Sequence, residues 1–211
     1  MFWVVFWQLE DHCQPEPKVL ILLTFIAGMF VVPLVLPIQF WAQAHTSGIV
    51  MLGIWALAEE GLKFAAAYLV ALRSRALDEP IDAIVYMITV ALGFSAAENV
   101  LFLLNPLGVG DTIGGLITGD VRFIGATLLH TLASATIGIA IALAFYKARH
   151  IRHRYIFFGV ILAICLHTLF NFFILSEGGS SAFSVFLFVW IGVILVLLFF
   201  ERLKSPTKDY C

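Results

Sequence analysis

Six apolar stretches constrain this chain more than any other feature. They cover residues 19–41, 48–72, 81–104, 123–146, 155–175 and 182–200. A helix crosses the hydrocarbon core of a bilayer in about 20 apolar residues, so each stretch is long enough to span. In lipid, an open-ended segment satisfies its backbone N–H and C=O groups only as a helix. The expected fold is therefore all-α: a polytopic transmembrane bundle of about six spanning helices, preceded by a short N-terminal apolar segment at residues 2–7. That segment is too short to cross. No basic residue stands before it, which argues against a cleaved signal peptide. Residues 1–18 read as an N-terminal segment in the manner of a truncated helix, 19–200 as one transmembrane helical domain, and 201–211 as a cytoplasmic tail. Pro33 and Pro37 are expected to kink the first span. Residues 110–120, rich in Gly and Thr, read as a loop or a re-entrant piece.

Composition agrees with lipid as the main solvent. Charged residues make up 12% of the chain, hydrophobic residues 62%, and mean hydropathy is +1.01; soluble domains carry about 25% charged residues. A net charge of −2 gives no support to nucleic-acid binding. Cys13, Cys165 and Cys211 show no paired spacing, so neither a disulfide framework nor a thiolate metal site is expected.

The basic residues orient the bundle. Lys18 precedes the first span, Arg73 and Arg75 follow the second, and Lys147, Arg149, Arg152 and Arg154 lie between the fourth and fifth. Arg202, Lys204 and Lys208 follow the last. The alternate connections are nearly free of Lys and Arg, apart from Arg122, which reads as an interfacial anchor. The positive-inside rule places every basic segment, and the C-terminus, in the cytoplasm.

Against this background the ionisable residues inside the spans stand out. Glu59, Glu60 and Lys63 lie in the second, Glu98 with Asn99 in the third, His130 in the fourth, and His167 with Asn171 in the fifth. A charge at the bilayer centre costs about 2.5–3.5 kcal/mol on insertion scales, so such residues point to function. At 1.5 Å rise per residue, Glu98 and His130 lie about 10 Å from the non-cytoplasmic helix ends, His167 about 12–14 Å and Glu60 somewhat under about 20 Å. These depths let the groups meet in one cavity. Lys63 reaches Glu60 at i+3 or Glu59 at i+4, and His167 shares a face with Asn171 at i+4. The two adjacent glutamates point about 100° apart, so one acts while the other supports.

This set suits peptide hydrolysis. Glu60 or Glu59 activates water, Lys63 orients the pair, the histidines stabilise an oxyanion or protonate the leaving amine, and Asn171 donates a hydrogen bond. Glu98 shapes or shares the site, supported by Asn99. His130 and His167 with Glu60 are also enough to ligate Zn²⁺, so a metal route and a glutamate route are both open. No His-Glu-x-x-His run is present. Ser95 and Ser134 are available, but neither stands in a recognisable nucleophile turn. Proton-coupled transport or a channel is the alternative, because buried Glu, Lys and His also form proton relays. For Glu59, Glu60 and Lys63 taken alone, a structural ion pair between helices is the plainer reading. His45, His150 and His153, near helix ends, receive no role.

At these residues the chain resembles the PrsW family of intramembrane proteases, related to the CAAX-protease and bacteriocin-processing superfamily. The matching pieces are Glu59-Glu60-Gly-Leu-Lys63, Phe94-Ser-Ala-Ala-Glu98-Asn99, His130 with small residues after it, and His167-Thr-Leu-Phe-Asn171. Pro15-Glu16-Pro17 and the segment from Glu79 through Asp82 to Tyr86 also resemble family segments. The resemblance implies cleavage of membrane-anchored protein substrates, of the anti-sigma factor type, in a bacterial or archaeal cell membrane.

Overall fold

The computed structural model describes residues 16–108, 112–176 and 182–203. The six apolar stretches fold as six helices: α1 (Lys18–His45), α2 (Gly48–Ala67), α3 (Pro80–Gly108), α4 (Thr112–Leu143), α5 (Arg149–Ser176) and α6 (Ala182–Leu203). A π-helical turn, Tyr68–Leu72, closes α2. Among the described residues there is no strand. Among the described residues, five helices suffice by length and composition to cross a membrane; the exception is α2. What sets it apart is its charge: Glu59, Glu60 and Lys63 fall within its 20 residues. They are tolerated because neighbouring helices, rather than lipid, cover them: α2 packs on α1, α5 and α3.

The centre of the bundle is α3. Every residue from 81 to 95 is buried, as expected of a helix that is apolar all round. It packs most extensively on α4 and then on α1. Glycine permits the α1–α3 crossing. A Cβ on Gly28 would collide with the carbonyl oxygen of Val90, and one on Gly93 with that of Phe25. The two backbones therefore touch, as small residues allow in membrane helix pairs. Just beyond this crossing, α1 runs through Pro33 and Pro37 as one continuous helix. Each proline withdraws an N–H from the helix ladder. Thr46 and Ser47 link α1 to α2, which begins on Gly48 at φ 55°, in the left-handed region.

Two segments singled out in the sequence tie the start of α1 to the start of α3. Tyr86 donates its hydroxyl to buried Glu16. From the first turn of α3, Asp82 reaches back to accept hydrogen bonds from the backbone N–H groups of Asp78 at 2.9 Å and Glu79 at 2.7 Å, which fixes the chain's entry into the helix. Of the two readings of 110–120, the loop is corrected: from Thr112 onward this stretch is helix, the first turns of α4. Its 32 residues give α4 a length of about 48 Å, so it outruns the hydrocarbon core of about 30 Å. The apolar segment 2–7, and most of the tail assigned to 201–211, lie outside the described residues.

Candidate active site

Glu59 and Glu60 are consecutive and both buried, yet they face different neighbours. Glu60 is enclosed. Its Oε1 accepts from Lys63 Nζ at 2.5 Å and from His167 Nδ1 at 2.8 Å, and its Oε2 accepts from Ser134 Oγ at 3.1 Å. Lys63 is itself fully buried. Besides Glu60, its ammonium contacts His130 Nδ1 at 3.1 Å and lies 4.9 Å from the centre of the Phe94 ring.

Glu59 turns the other way, onto a cavity of about 510 Å³. Its Oε1 accepts from Gln39 Nε2 at 2.7 Å. Its Oε2 is buried without a hydrogen-bond partner, 3.6 Å from His167 Nε2 and 3.9 Å from His130 Nδ1. The two imidazoles meet edge to face with centroids 5.0 Å apart. Glu98, His130, His167 and Asn171 line the same cavity, among apolar side chains of α1, α3, α5 and α6. Asn99 does not: it points to α4 and donates to Thr127 Oγ1 at 3.3 Å.

Hydrogen bonding sets the histidine tautomers. A carboxylate paired with an ammonium only accepts, so His167 carries its proton on Nδ1, toward Glu60. Its Nε2 lone pair then faces Glu59. His130 accepts from Lys63 at Nδ1 and donates from Nε2 to Glu98 Oε2 at 3.1 Å. Each imidazole thus gives its far N–H to a carboxylate and turns its near nitrogen toward Glu59. This is the arrangement by which outer carboxylates orient metal-binding histidines.

The residues fit a metal. One ligand-capable atom each from Glu59, His130 and His167 lies within 4.8 Å of the other two. Ligands held at about 2.1 Å in a tetrahedron are about 3.4 Å apart, close to the 3.6 and 3.9 Å seen here. The carboxylate in this group is Glu59, whereas the sequence reading joined Glu60 to the histidines. Glu60 is spent on Lys63, Ser134 and His167, a difference set by the 100° between consecutive helical residues. For His130 to hold a metal through Nδ1, the Lys63 ammonium that now donates to that nitrogen would have to give up the contact, and Glu60 would still pair it.

Sequence reasoning missed Gln39 and gave Ser134 no place beside Glu60. Gln39 is a neutral amide on α1, outside the set of ionisable groups that marks the site in the sequence. The available signal was an amide in an otherwise apolar span.

Fold and site together define a polytopic helical membrane protein whose buried carboxylate and imidazoles converge on a cavity, the equipment of an intramembrane hydrolase. A profile of the PrsW family intramembrane metalloproteases matches residues 16–199, and the chain belongs to that family. It is thus an intramembrane protease, a peptide hydrolase. It is 29% identical to Protease PrsW of Shouchella clausii over 95% of this chain and 89% of that protein. Protease PrsW of Geobacillus kaustophilus is 28% identical over 82% of this chain and 74% of its own length. Protease PrsW of Bacillus subtilis is 24% identical over 89% and 86%. No solved structure matches the chain. Family membership lends nothing to the transporter reading.

Proposed function

We propose that Glu59, His130 and His167 form the centre at which this protease hydrolyses a peptide bond of a membrane-anchored protein. The observation that carries this reading is Glu59 Oε2: buried, without a partner, facing two imidazole nitrogens at the wall of a cavity. A carboxylate oxygen placed there without a ligand would be costly. Zn²⁺ is the ion that best suits one carboxylate and two imidazoles, and when bound it supplies Lewis-acid polarisation and a water of lowered pKa.

The other groups divide the remaining work. Glu98 lines the cavity beside His130 and takes the proton of the attacking water, then returns it to the leaving amine. Asn171, one turn beyond His167 on the cavity wall, donates its amide to the tetrahedral oxyanion. Glu60 stays out of the reaction. It holds His167 by Nδ1, and Lys63 and Ser134 hold it in turn. Asn99 braces α3 against α4 through Thr127. The basic ends of the helices are cytoplasmic, as is the C-terminus, which leaves the cavity nearer the opposite side.

The test is to express wild type, Glu59→Gln and His167→Ala beside a tagged membrane-anchored substrate. Loss of cleavage in both variants is expected. Equal cleavage by all three proteins sinks the reading.

A further inference from the structure

Gln39 reaches the site from α1, and α2 meets it twice. Its side-chain Nε2–H donates to Glu59 Oε1 at 2.7 Å. One helical turn earlier on α2, the indole N–H of Trp55 donates to the backbone carbonyl of Gln39 at 3.1 Å. Residues 55 and 59 share a helix face. The indole therefore anchors the Gln39 backbone while the amide reaches the carboxylate.

The consequence lies at the other oxygen. The last torsion of a glutamate is broad and roughly two-fold, so a carboxylate without a partner samples many orientations. Holding Oε1 removes that freedom. It leaves Oε2 aimed at His167 Nε2 and His130 Nδ1, 3.6 and 3.9 Å away. An amide suits this task. Its N–H cannot accept the carboxylate's proton and carries no charge, so Glu59 is oriented without being neutralised. A lysine here would cancel the charge, and a glutamate would repel it.

We propose that Gln39 is a positioning residue, setting Glu59 in the orientation with which it binds a divalent metal ion together with His130 and His167. The inference rests on the reading of that trio given above. Partners that orient metal ligands in this way typically govern affinity by about 10–100-fold.

Co²⁺ is the probe. The full chain is purified in detergent and titrated with Co²⁺, following the visible ligand-field absorption. Gln39→Met keeps the length and packing of the side chain but removes the donor. It should bind Co²⁺ about 10–100-fold more weakly than wild type, with an altered absorption band. Gln39→Asn retains the amide but withdraws it by one methylene, and should weaken binding in the same direction; it decides the matter if Gln39→Met does not fold. Wild-type affinity and spectrum in a folded variant overturn the role of Gln39. Binding lost in Glu59→Gln alongside that result leaves the trio standing and removes Gln39 alone. A wild-type protein that takes up no Co²⁺ overturns the metal reading of the trio, and this inference with it.

Discussion

His167 Nδ1 lies 2.8 Å from Glu60 Oε1, and that contact decides which nitrogen of the ring faces the cavity. Glu60 shares the same oxygen with the Lys63 ammonium at 2.5 Å. It acts as a fixed acceptor that pins the imidazole proton on Nδ1. The two consecutive glutamates are thereby separated in surroundings, one enclosed between helices and one facing the cavity.

This separation predicts opposite behaviour for the two conservative variants. Glu60→Gln leaves a buried ammonium without its counter-charge, and breaking a buried pair costs about 3–5 kcal/mol. Its thermal or denaturant unfolding in detergent should fall well below wild type. Glu59→Gln leaves Lys63 paired, so it should unfold close to wild type while losing cleavage. Equal destabilisation of both would contradict the assignment.

Metal removal provides a second check. Dialysis against a strong chelator should abolish cleavage, and Zn²⁺ should restore it. Elemental analysis should find one metal per wild-type chain and a deficit in Glu59→Gln, His130→Ala and His167→Ala. Glu98→Gln alters a hydrogen-bond partner of His130. It should weaken metal binding by about 10–100-fold and, under the proton-transfer role proposed for Glu98, lose cleavage beyond what added metal restores.

Ser134 separates this chemistry from serine catalysis. Its hydroxyl donates to Glu60 Oε2 at 3.1 Å and is buried behind the site rather than lining the cavity. Ser134→Ala should lose about 1.5–3 kcal/mol of stability, the range for a hydrogen bond to a charged group, and keep measurable cleavage. A fluorophosphonate probe should not label the wild-type protein. Covalent labelling at Ser134 would refute the placement.

At the other end of α3, Tyr86 donates to Glu16 across the α1–α3 junction. Tyr86→Phe removes one donor to a buried carboxylate and should also cost about 1.5–3 kcal/mol. Limited proteolysis should then cut the start of α1 sooner than in wild type. Unchanged protease resistance would show that this bond does not hold the helix end.

Much of the fold was legible because hydropathy is a one-dimensional property. Runs of apolar residues need no knowledge of their neighbours to be read as helices in lipid. The stretch after residue 110 was misread for the complementary reason. Gly and Thr are weak helix formers, but propensity yields to context, and here the residues from Thr112 onward continue into the apolar run of α4.

The site divides along the same line. Sequence alone placed Glu59, Glu60, Lys63, Glu98, His130 and His167 on four consecutive apolar helices at levels where they can meet, because helical rise is constant. Only the tertiary structure decided that Glu59 faces the imidazoles, that Glu60 is enclosed by Lys63 and Ser134, that Asn99 turns away, and that Gln39 reaches in from α1. Those outcomes depend on how each helix is rotated about its own axis. That rotation is set by packing between helices, such as the glycine crossing of α1 and α3, and no local rule of spacing contains it.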